Sequence, residues 1–319
     1  MDIRDRGMLR FATTDVLESA VYSPRRLALL HSAVSLGVSL LLTALQFLIA
    51  RGIDATSGLA GLGTRSVLET LESVLQFAVG ILLPFWEIGF IYCAIRIARK
   101  QTAEPRDLTR GFFRLGAVLR LMLLETVLYV GLAILCLNVS TVIFTMTPLS
   151  AKMEELIMPM ITGAEIDMEA MLTQISNEEM LAATRPMLVL FGILFGAALL
   201  PVSYSLRQTK YLIMDDPAIG AFAAVRTSFR YMRRNRWALA RVDLQFWWYY
   251  LAIILLAGVG YADLLLPLVG VTLPISANVA FFLFYGIQLL GQLLLCWRKK
   301  AQVDTTYALI YDNLKEISQ

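Results

Sequence analysis

Residues 115–146 read LGAVLRLMLLETVLYVGLAILCLNVSTVIFTM and carry only two charged side chains, Arg120 and Glu125. About 20 apolar residues in a helix cross the hydrocarbon core of a bilayer, so this stretch predicts a transmembrane helix. Five similar stretches lie on either side of it, at residues 27–50, 74–95, 187–206, 238–258 and 279–297. The sequence therefore predicts an all-α polytopic membrane protein with six transmembrane helices.

Positive charge is distributed unevenly between the connections of these helices. Of the 28 Lys and Arg residues, only Arg51, Arg65, Lys152 and Arg185 fall in the first, third and fifth connections. By the positive-inside rule, those connections face outward and both termini are cytoplasmic. We therefore expect a single integral plasma-membrane domain over 1–319, with cytoplasmic tails at 1–26 and 299–319. The polar N-terminal tail predicts no cleavable leader.

The third connection, 151–185, is acidic and rich in Met. Met153, Leu156, Ile157 and Met160 recur at helical spacing, which predicts an amphipathic helix. The preferred interpretation is an extracytoplasmic helical cap lying on the outer membrane face. A Met-rich surface for a protein partner is the alternative, because Met side chains are flexible and polarizable.

The two inner connections, RDLTRGFFRLG (106–116) and DDPAIGAFAAVRTSFRYMRRNRW (215–237), predict amphipathic elbow helices that lie in the membrane interface. In the second, Asp216 is expected to cap the helix and Pro217 to begin it. Ile219, Phe222, Val225 and Phe229 are expected to form its apolar face. In the first, Arg106, Arg110 and Arg114 are four residues apart and are expected to share one helical face. The basic residues expected to meet anionic lipid headgroups are Arg106, Arg110, Arg114, Arg226, Arg230, Arg233 and Arg234.

An internal duplication is also predicted. Placing Leu82–Leu83–Pro84 over Leu199–Leu200–Pro201, an offset of 117 residues, brings Gly111–Phe112 onto Ser228–Phe229 without a gap. Each unit then reads as a span with a Pro, a basic elbow and a returning span. Such units would be parallel repeats related about the membrane normal.

The segment YLIMDDPAIGAFAAVRTSFRYMRRNRWALARVDLQFWWYYLAIILLAGVG (211–260) and the ending TTYALIYDNL (305–314) carry a family resemblance. They resemble the bacterial membrane family of domain of unknown function 975, and more distantly the membrane domains found beside some glycerophosphodiester phosphodiesterases. Ile310 stands where that family usually has Phe, and Gln245–Phe246 replaces Ser-Phe. The resemblance implies a polytopic bacterial plasma-membrane protein with no established activity.

Charged residues within the predicted spans are the main candidates for a functional site, because each is costly in lipid and so faces the bundle interior. Two interpretations remain open: a polar cavity that opens to the cytoplasm, or a structural salt-bridge network. This polar cluster consists of Glu87, Arg120, Glu125, Asp243, Arg207 and Lys210. The aromatic run at 246–250 is more typical of packing than of an acyl-chain groove, and the lone His31 is more typical of a structural residue.

No sequence pattern of a catalytic, nucleotide-binding or metal-binding site occurs, and Cys93, Cys136 and Cys296 have no metal-ligand spacing. We therefore expect a non-enzymatic protein without cofactor, metal or nucleic acid. It is expected to bind or transport an amphiphilic or lipid-like molecule, with anionic membrane lipids as partners. The alternative is a scaffold or accessory subunit that binds another envelope protein through 151–185. The oligomeric state is not predicted.

The topology can be tested with reporter fusions that are active only outside the cytoplasm. Fusions near Gly61 and Glu165 should be active, and fusions near Glu104 and Phe222 should be silent, because the charge distribution places the latter inside. Reporter activity at Phe222 would contradict the topology.

Overall fold

The computed structural model describes residues 6–55, 62–151, 177–262, 266 and 276–318. Every regular element within those ranges is helical, which confirms the all-α fold class. The cap predicted over 151–185 lies largely outside the described residues, as does most of the fifth connection.

The chain forms ten α-helices in the part that the structure describes. They are α1 (Arg6–Glu18), α2 (Pro24–Ala55), α3 (Leu62–Ala98), α4 (Leu115–Thr145), α5 (Asn177–Leu206), α6 (Thr209–Asp215), α7 (Ala221–Met232), α8 (Arg236–Asp243), α9 (Trp247–Gly260) and α10 (Ala277–Ser318). A 3₁₀ helix, Pro105–Arg114, precedes α4, and a short 3₁₀ turn, Pro148–Ser150, follows it. We name the 3₁₀ helix Pro105–Arg114 the first elbow and helix α7 the second elbow.

Five of these helices, α2, α3, α4, α5 and α10, are long and apolar enough to cross a membrane. Helices α8 and α9 also meet this criterion when they are taken together, although they are bent by 63° relative to each other. Counting the pair as one broken span gives six, which agrees with the six predicted stretches. The aromatic run at 246–250 therefore begins at a bend rather than inside one straight helix.

The chain divides into two compact units, 1–119 with 208–319 and 120–207. The second unit contains most of α4 together with α5, and its aromatic contacts include Phe191 stacked on Phe195 at 5.5 Å between ring centroids. The first unit contains the other helices and both elbows. Its apolar core combines residues of α1, α2, α3, the first elbow and α10, with Leu27, Phe90, Cys93 and Leu108 at its centre.

Both predicted tails are helical, which was not expected from the sequence. Helix α10 has 42 residues and is about 63 Å long at about 1.5 Å per residue, so it continues well beyond a hydrocarbon core of about 30 Å. Its final turns bury Tyr307, Ile310, Tyr311 and Leu314. Helix α1 packs on this extension, where the hydroxyl oxygen of Thr13 lies 3.2 Å from that of Thr306.

The first elbow is a 3₁₀ helix, and this overturns one expectation. Its three arginines are four residues apart, a spacing that places them on one side of an α-helix. In a 3₁₀ helix with 3.0 residues per turn, residues four apart point about 120° away from each other. Arg106, Arg110 and Arg114 therefore do not share a face.

Two glycines let the first elbow pack against α3 at backbone distance. A Cβ on Gly89 would lie 1.8 Å from the carbonyl oxygen of Leu108, and a Cβ on Gly111 would lie 2.0 Å from that of Phe85. No side chain can occupy either space. The contact explains how the elbow remains fixed against α3 although it is not an α-helix.

The second elbow begins later than expected. Asp216 does not cap it: its carboxylate accepts a hydrogen bond from the amide of Ala218 at 2.9 Å and closes a turn. Helix α7 starts at Ala221 after Gly220, whose carbonyl accepts the amide of Ala224. The Asp216 carboxylate could accept a hydrogen bond either within a turn or at a helix N-terminus, and here it accepts the one within the turn.

The buried face of α7 also differs from the predicted apolar face. Phe222 is 72% exposed, whereas the buried side is formed mainly by small residues. That side consists of Ala221, Ala224, Val225, Ser228 and Met232. Small residues permit close packing of helices. The face of α7 that packs against the protein is therefore the one with small residues, not the more hydrophobic face that contains Phe222.

The helix boundaries agree with the offset of 117 residues proposed for the duplication. The first elbow, Pro105–Arg114, corresponds to residues 222–231, which lie within α7. A long helix with an internal Pro also precedes each elbow: α3 with Pro84 precedes the first, and α5 with Pro201, followed by the short helix α6, precedes the second. A common origin of the two halves stays a prediction.

The close contact between α3 and the first elbow predicts a large difference between two glycine substitutions. Gly111→Ala should destabilise the protein by about 1–3 kcal/mol or prevent its accumulation, because the new Cβ would overlap the carbonyl of Phe85. Gly116→Ala is the matched control, since a Cβ at that position would meet no neighbouring atom within 4 Å. Thermal unfolding in detergent measures both, and equal melting temperatures would contradict this packing.

Candidate functional site

A groove of about 730 Å³ lies between α9 and α10 in the first unit. The two helices run antiparallel there, since Leu256 meets Gly291 and Trp248 meets Lys299. The groove is lined by Trp248, Ala252, Leu255, Leu256, Val259, Gly291, Leu294, Leu295, Arg298 and Lys299. Its walls are thus apolar along most of their length, and two cationic side chains lie at one end.

Gly291 allows the groove walls to approach each other closely. A Cβ at this position would lie 2.4 Å from Cδ2 of Leu256, so a larger residue would require that leucine side chain to move. From Gly291 to Lys299 the helix advances about 12 Å at about 1.5 Å per residue. The groove therefore extends over roughly two turns of α10 between its apolar end and its basic end.

Lys299 lies where the groove meets two further cavities. Its ammonium group lies 5.3 Å from the ring centroid of Trp248, and its Nζ atom donates a hydrogen bond to Gln302 at 3.2 Å. One cavity, of about 510 Å³, contains residues of α1, the α8–α9 bend and α10. The other, of about 690 Å³, lies near Arg25 and Arg298. The ammonium group of Lys299 is thus shared by the groove and by both of these cavities.

A hydrogen-bonded cluster lies close to the bend between α8 and α9. The hydroxyl of Tyr307 donates to the carboxylate of Asp243 and lies 2.9 Å from the hydroxyl of Tyr250. Tyr307 is only 2% exposed. These bonds connect α8, α9 and α10, so Asp243 helps hold the broken span against the last helix.

A second polar network is centred on Asp215, whose side chain is 7% exposed. It accepts hydrogen bonds from Tyr311 at 2.8 Å and Lys315 at 2.6 Å, and it pairs with Arg99. Arg99 also bonds Asp312 at 2.6 Å. Hydrogen bonds to Asp312 and Asp215 raise the pKa of the Arg99 guanidinium above its ordinary value, which is already high enough to keep the group charged. The network joins the end of α3, the end of α6 and the last turns of α10.

The network also unites the two segments that carried the family resemblance. Tyr211 of the first segment stacks on Tyr311 of the second, with 5.8 Å between ring centroids. Arg114 of the first elbow donates to the carbonyl oxygens of Ile213 and Asp216. The signature residues of the two segments therefore meet at one junction of the fold.

The predicted polar cluster is distributed over both units. In the first, Glu87 is half exposed and lies 4.0 Å from Lys210, while Asp243 bonds Tyr307 instead. In the second, Arg207 lies 6.0 Å from the ring centroid of Tyr204. Arg120 is exposed and Glu125 is half-buried. The convergence of all six residues on one cavity stays a prediction.

Six of the seven arginines proposed to meet lipid headgroups are exposed: Arg106, Arg110, Arg226, Arg230, Arg233 and Arg234. Arg106 also pairs with Glu104 at 2.9 Å, and Arg110 lies 5.7 Å from the ring centroid of Tyr92. Arg114 is half-buried against carbonyl oxygens, so its guanidinium serves the fold. Binding of the exposed arginines to lipid stays a prediction.

His31 contacts aromatic rings. It stacks parallel to Trp86 at 5.8 Å between ring centroids and lies 4.9 Å from Phe90. The indole of Trp86 donates to the backbone carbonyl of His31 at 3.0 Å. This placement agrees with the structural interpretation of that residue. Among the described residues, no group of three or more His, Cys, Asp or Glu side chains could hold a metal ion.

Sequence reasoning missed the groove, the cavities and the Asp215 network. Arg298 and Lys299 were counted only as positive-inside charge, and residues 299–319 were treated as a tail. One signal was available: Tyr307, Ile310, Tyr311 and Leu314 recur at helical spacing after the last apolar stretch. That pattern predicts a buried continuation of α10.

Comparison with known proteins gives one match. A family model described as a protein of unknown function, DUF975, matches residues 27–318. No match was found among the curated proteins or among the solved structures. The more distant similarity to membrane domains beside glycerophosphodiester phosphodiesterases stays a prediction.

The Asp215 network predicts that Asp215→Asn will destabilise the protein by about 2–3 kcal/mol, because the amide leaves Arg99 and Lys315 without their shared anion. The expected loss is below that of a fully buried pair, since both cations are about one-third exposed.

Asp15→Asn is the control for that experiment. Asp15 pairs with Lys100 at 2.8 Å, but both side chains are more than half exposed, so its replacement should leave the melting temperature nearly unchanged. Equal effects of the two substitutions would show that the Asp215 network does not hold α3, α6 and α10 together.

Proposed function

The chain belongs to the DUF975 family of proteins of unknown function, and we propose that it binds an anionic amphiphile, such as a membrane phospholipid, in the groove between α9 and α10. In this proposal the protein is a multi-pass component of the bacterial plasma membrane with both termini in the cytoplasm. The amphiphile is bound or transferred without chemical change.

One observation carries the proposal: the groove combines a long apolar wall with cations at one end. An acyl chain in the groove would contact Leu255, Leu256 and Leu294, and the headgroup would lie near Arg298 and Lys299. The two cations complement a negative headgroup and disfavour a positive one. The groove is therefore suited to an amphiphile whose alkyl part and negative charge are adjacent.

The position of Trp248 supports this orientation of the ligand. Trp side chains favour the boundary between hydrocarbon and headgroups, because their rings are apolar and their N–H group is polar. Trp248 is at the basic end of the groove beside Lys299. Along the groove the lining changes from aliphatic residues to Trp248 and then to the cations. This order matches that of a phospholipid, in which the acyl chains are followed by the interfacial region and the charged headgroup.

Non-enzymatic binding is supported by the chemistry of the lining. Among the described residues of the groove there is no carboxylate, imidazole or thiol that could serve as a general base or nucleophile. The lining instead supplies alkyl, aromatic and cationic groups. These bind an amphiphile, and they do not by themselves transform it.

Two positions on α9 provide a matched test of the groove. Ala252→Phe should fill it and lower the retention of phosphatidylglycerol during detergent purification, because Ala252 lines the groove. Ile254→Phe is the control, since Ile254 is 66% exposed and is not part of the lining. Native mass spectrometry measures the lipid that remains bound.

The same measurement tests the charge at the basic end. Lys299→Gln should lower the affinity for phosphatidylglycerol about fivefold, from about 1 kcal/mol per basic residue. It should lower phosphatidylcholine binding less, because the choline group offsets the charge of the phosphate. Equal retention by all three variants and the unmodified protein would overturn the proposal.

A further inference from the structure

The cavity beside α1 has a lining suited to a polar headgroup. It encloses about 510 Å³, within the range of about 300–1,000 Å³ typical of small-molecule sites. Helix α1, the bend between α8 and α9, and α10 all contribute to it. Its lining consists of Gly7, Arg10, Thr13, Gln245, Phe246, Trp248, Lys299, Gln302 and Thr306.

The charges in this lining are all of one sign. Arg10 and Lys299 are cationic, and none of the described lining residues is acidic. A phosphodiester would be attracted by both cations. A choline or ethanolamine headgroup would place a positive charge beside them without a carboxylate to balance it, which is unfavourable.

The uncharged lining residues are suited to hydroxyl groups. A hydroxyl both donates and accepts, and it is best satisfied by amides and other hydroxyls, which do the same. Gln245 and Gln302 supply amides. The hydroxyls of Thr13 and Thr306 donate to the backbone carbonyls of Leu9 and Gln302, so toward a ligand they supply acceptor oxygens. The Oε1 atom of Gln302 accepts a hydrogen bond from Lys299, and this bond fixes the orientation of the Gln302 side-chain amide.

The cavity and the groove between α9 and α10 share two residues, Trp248 and Lys299. One amphiphile could therefore occupy both, with its phosphate near Lys299, its headgroup in the cavity and its chain in the groove. The bend of 63° between α8 and α9 occurs where the two spaces meet. Gln245 and Phe246 lie in that bend and line the cavity only.

We infer that the cavity beside α1 is a headgroup site that selects an anionic phosphodiester carrying free hydroxyl groups, as in a glycerol headgroup. The inference rests on the proposed binding of an anionic amphiphile in the groove. It assigns the N-terminal helix to the binding site, through Arg10, and it assigns the bend a role in specificity, through Gln245.

Two lipids separate charge from hydroxyl recognition. Phosphatidylglycerol and phosphatidylethanol carry the same phosphodiester charge, and only the former has headgroup hydroxyls. With dioleoyl chains on both, the full-length protein in detergent should bind phosphatidylglycerol about tenfold more tightly, as measured by native mass spectrometry titration. Gln245→Leu should reduce this preference to about twofold or less, because the amide is lost and the charge is retained.

Arg10→Gln provides a second, independent variant. It should lower the affinity for both lipids about fivefold, because it removes charge rather than hydroxyl recognition. Arg26→Gln is its control, since Arg26 is exposed in the same region of the chain and is not part of the cavity lining. The melting temperature of each variant shows whether it is folded.

The outcomes distinguish the two proposals. Equal affinity for the two lipids, while Ala252→Phe still lowers both, overturns the headgroup site and leaves the groove intact. No effect of Ala252→Phe or Lys299→Gln on either lipid overturns the proposed function itself. A tenfold preference that Gln245→Leu abolishes in a folded protein supports both.

Discussion

The carboxylate of Asp215 holds together three segments of the first unit that lie far apart in the chain. It is nearly inaccessible to solvent and would be costly there as an unpaired anion, so Arg99, Lys315 and the hydroxyl of Tyr311 all converge on it. Arg99 directly follows the long helix α3, and Tyr311 and Lys315 belong to the final turns of α10. The position of α10 relative to α3 therefore depends on one buried charge and its partners.

That position in turn affects the candidate site, because α10 supplies the basic end of the groove. Helix α10 is continuous from Ala277 to Ser318, so anchoring its last turns also fixes the direction in which Arg298 and Lys299 emerge. The Tyr307–Asp243 bond adds an attachment at the bend before α9. Hydrogen bonds at Asp215 and Asp243 thus fix α10 against the neighbouring helices, and α10 lines both the groove and the cavity.

Several features of the fold could be predicted from the sequence with simple physical rules. Apolar stretches of about 20 residues predicted the helices that are long and apolar enough to cross a membrane, because lipid cannot satisfy exposed backbone groups. The signature around Tyr211 predicted the family. The first elbow was located correctly, but its arginines were assigned to one face, because residue spacing alone does not distinguish a 3₁₀ helix from an α-helix. The buried face of α7 was also predicted wrongly. The prediction chose the most hydrophobic side of the helix, which includes Phe222, whereas the buried side consists mainly of small residues.

The candidate site was the least predictable part. Sequence reasoning selected Glu87 and Asp243, because a charge within an apolar stretch is conspicuous, and it treated Arg298 and Lys299 as ordinary charges at a span end. Lys299 becomes important because it lies beside Trp248 and lines a cavity. Lys299 and Trp248 are about 50 positions apart in the chain. No local pattern encodes that proximity.

The sequence by itself determined which long stretches are helical and apolar enough for lipid, and to which family the chain belongs, since each of these follows from local composition and short motifs. Only the tertiary structure decided that the terminal segments are packed helices, that the fifth span is bent at its aromatic run, and that an apolar groove ends at two cations. These features depend on contacts between distant residues, and close backbone contacts such as that between Gly111 and Phe85 leave no periodic signal in the sequence.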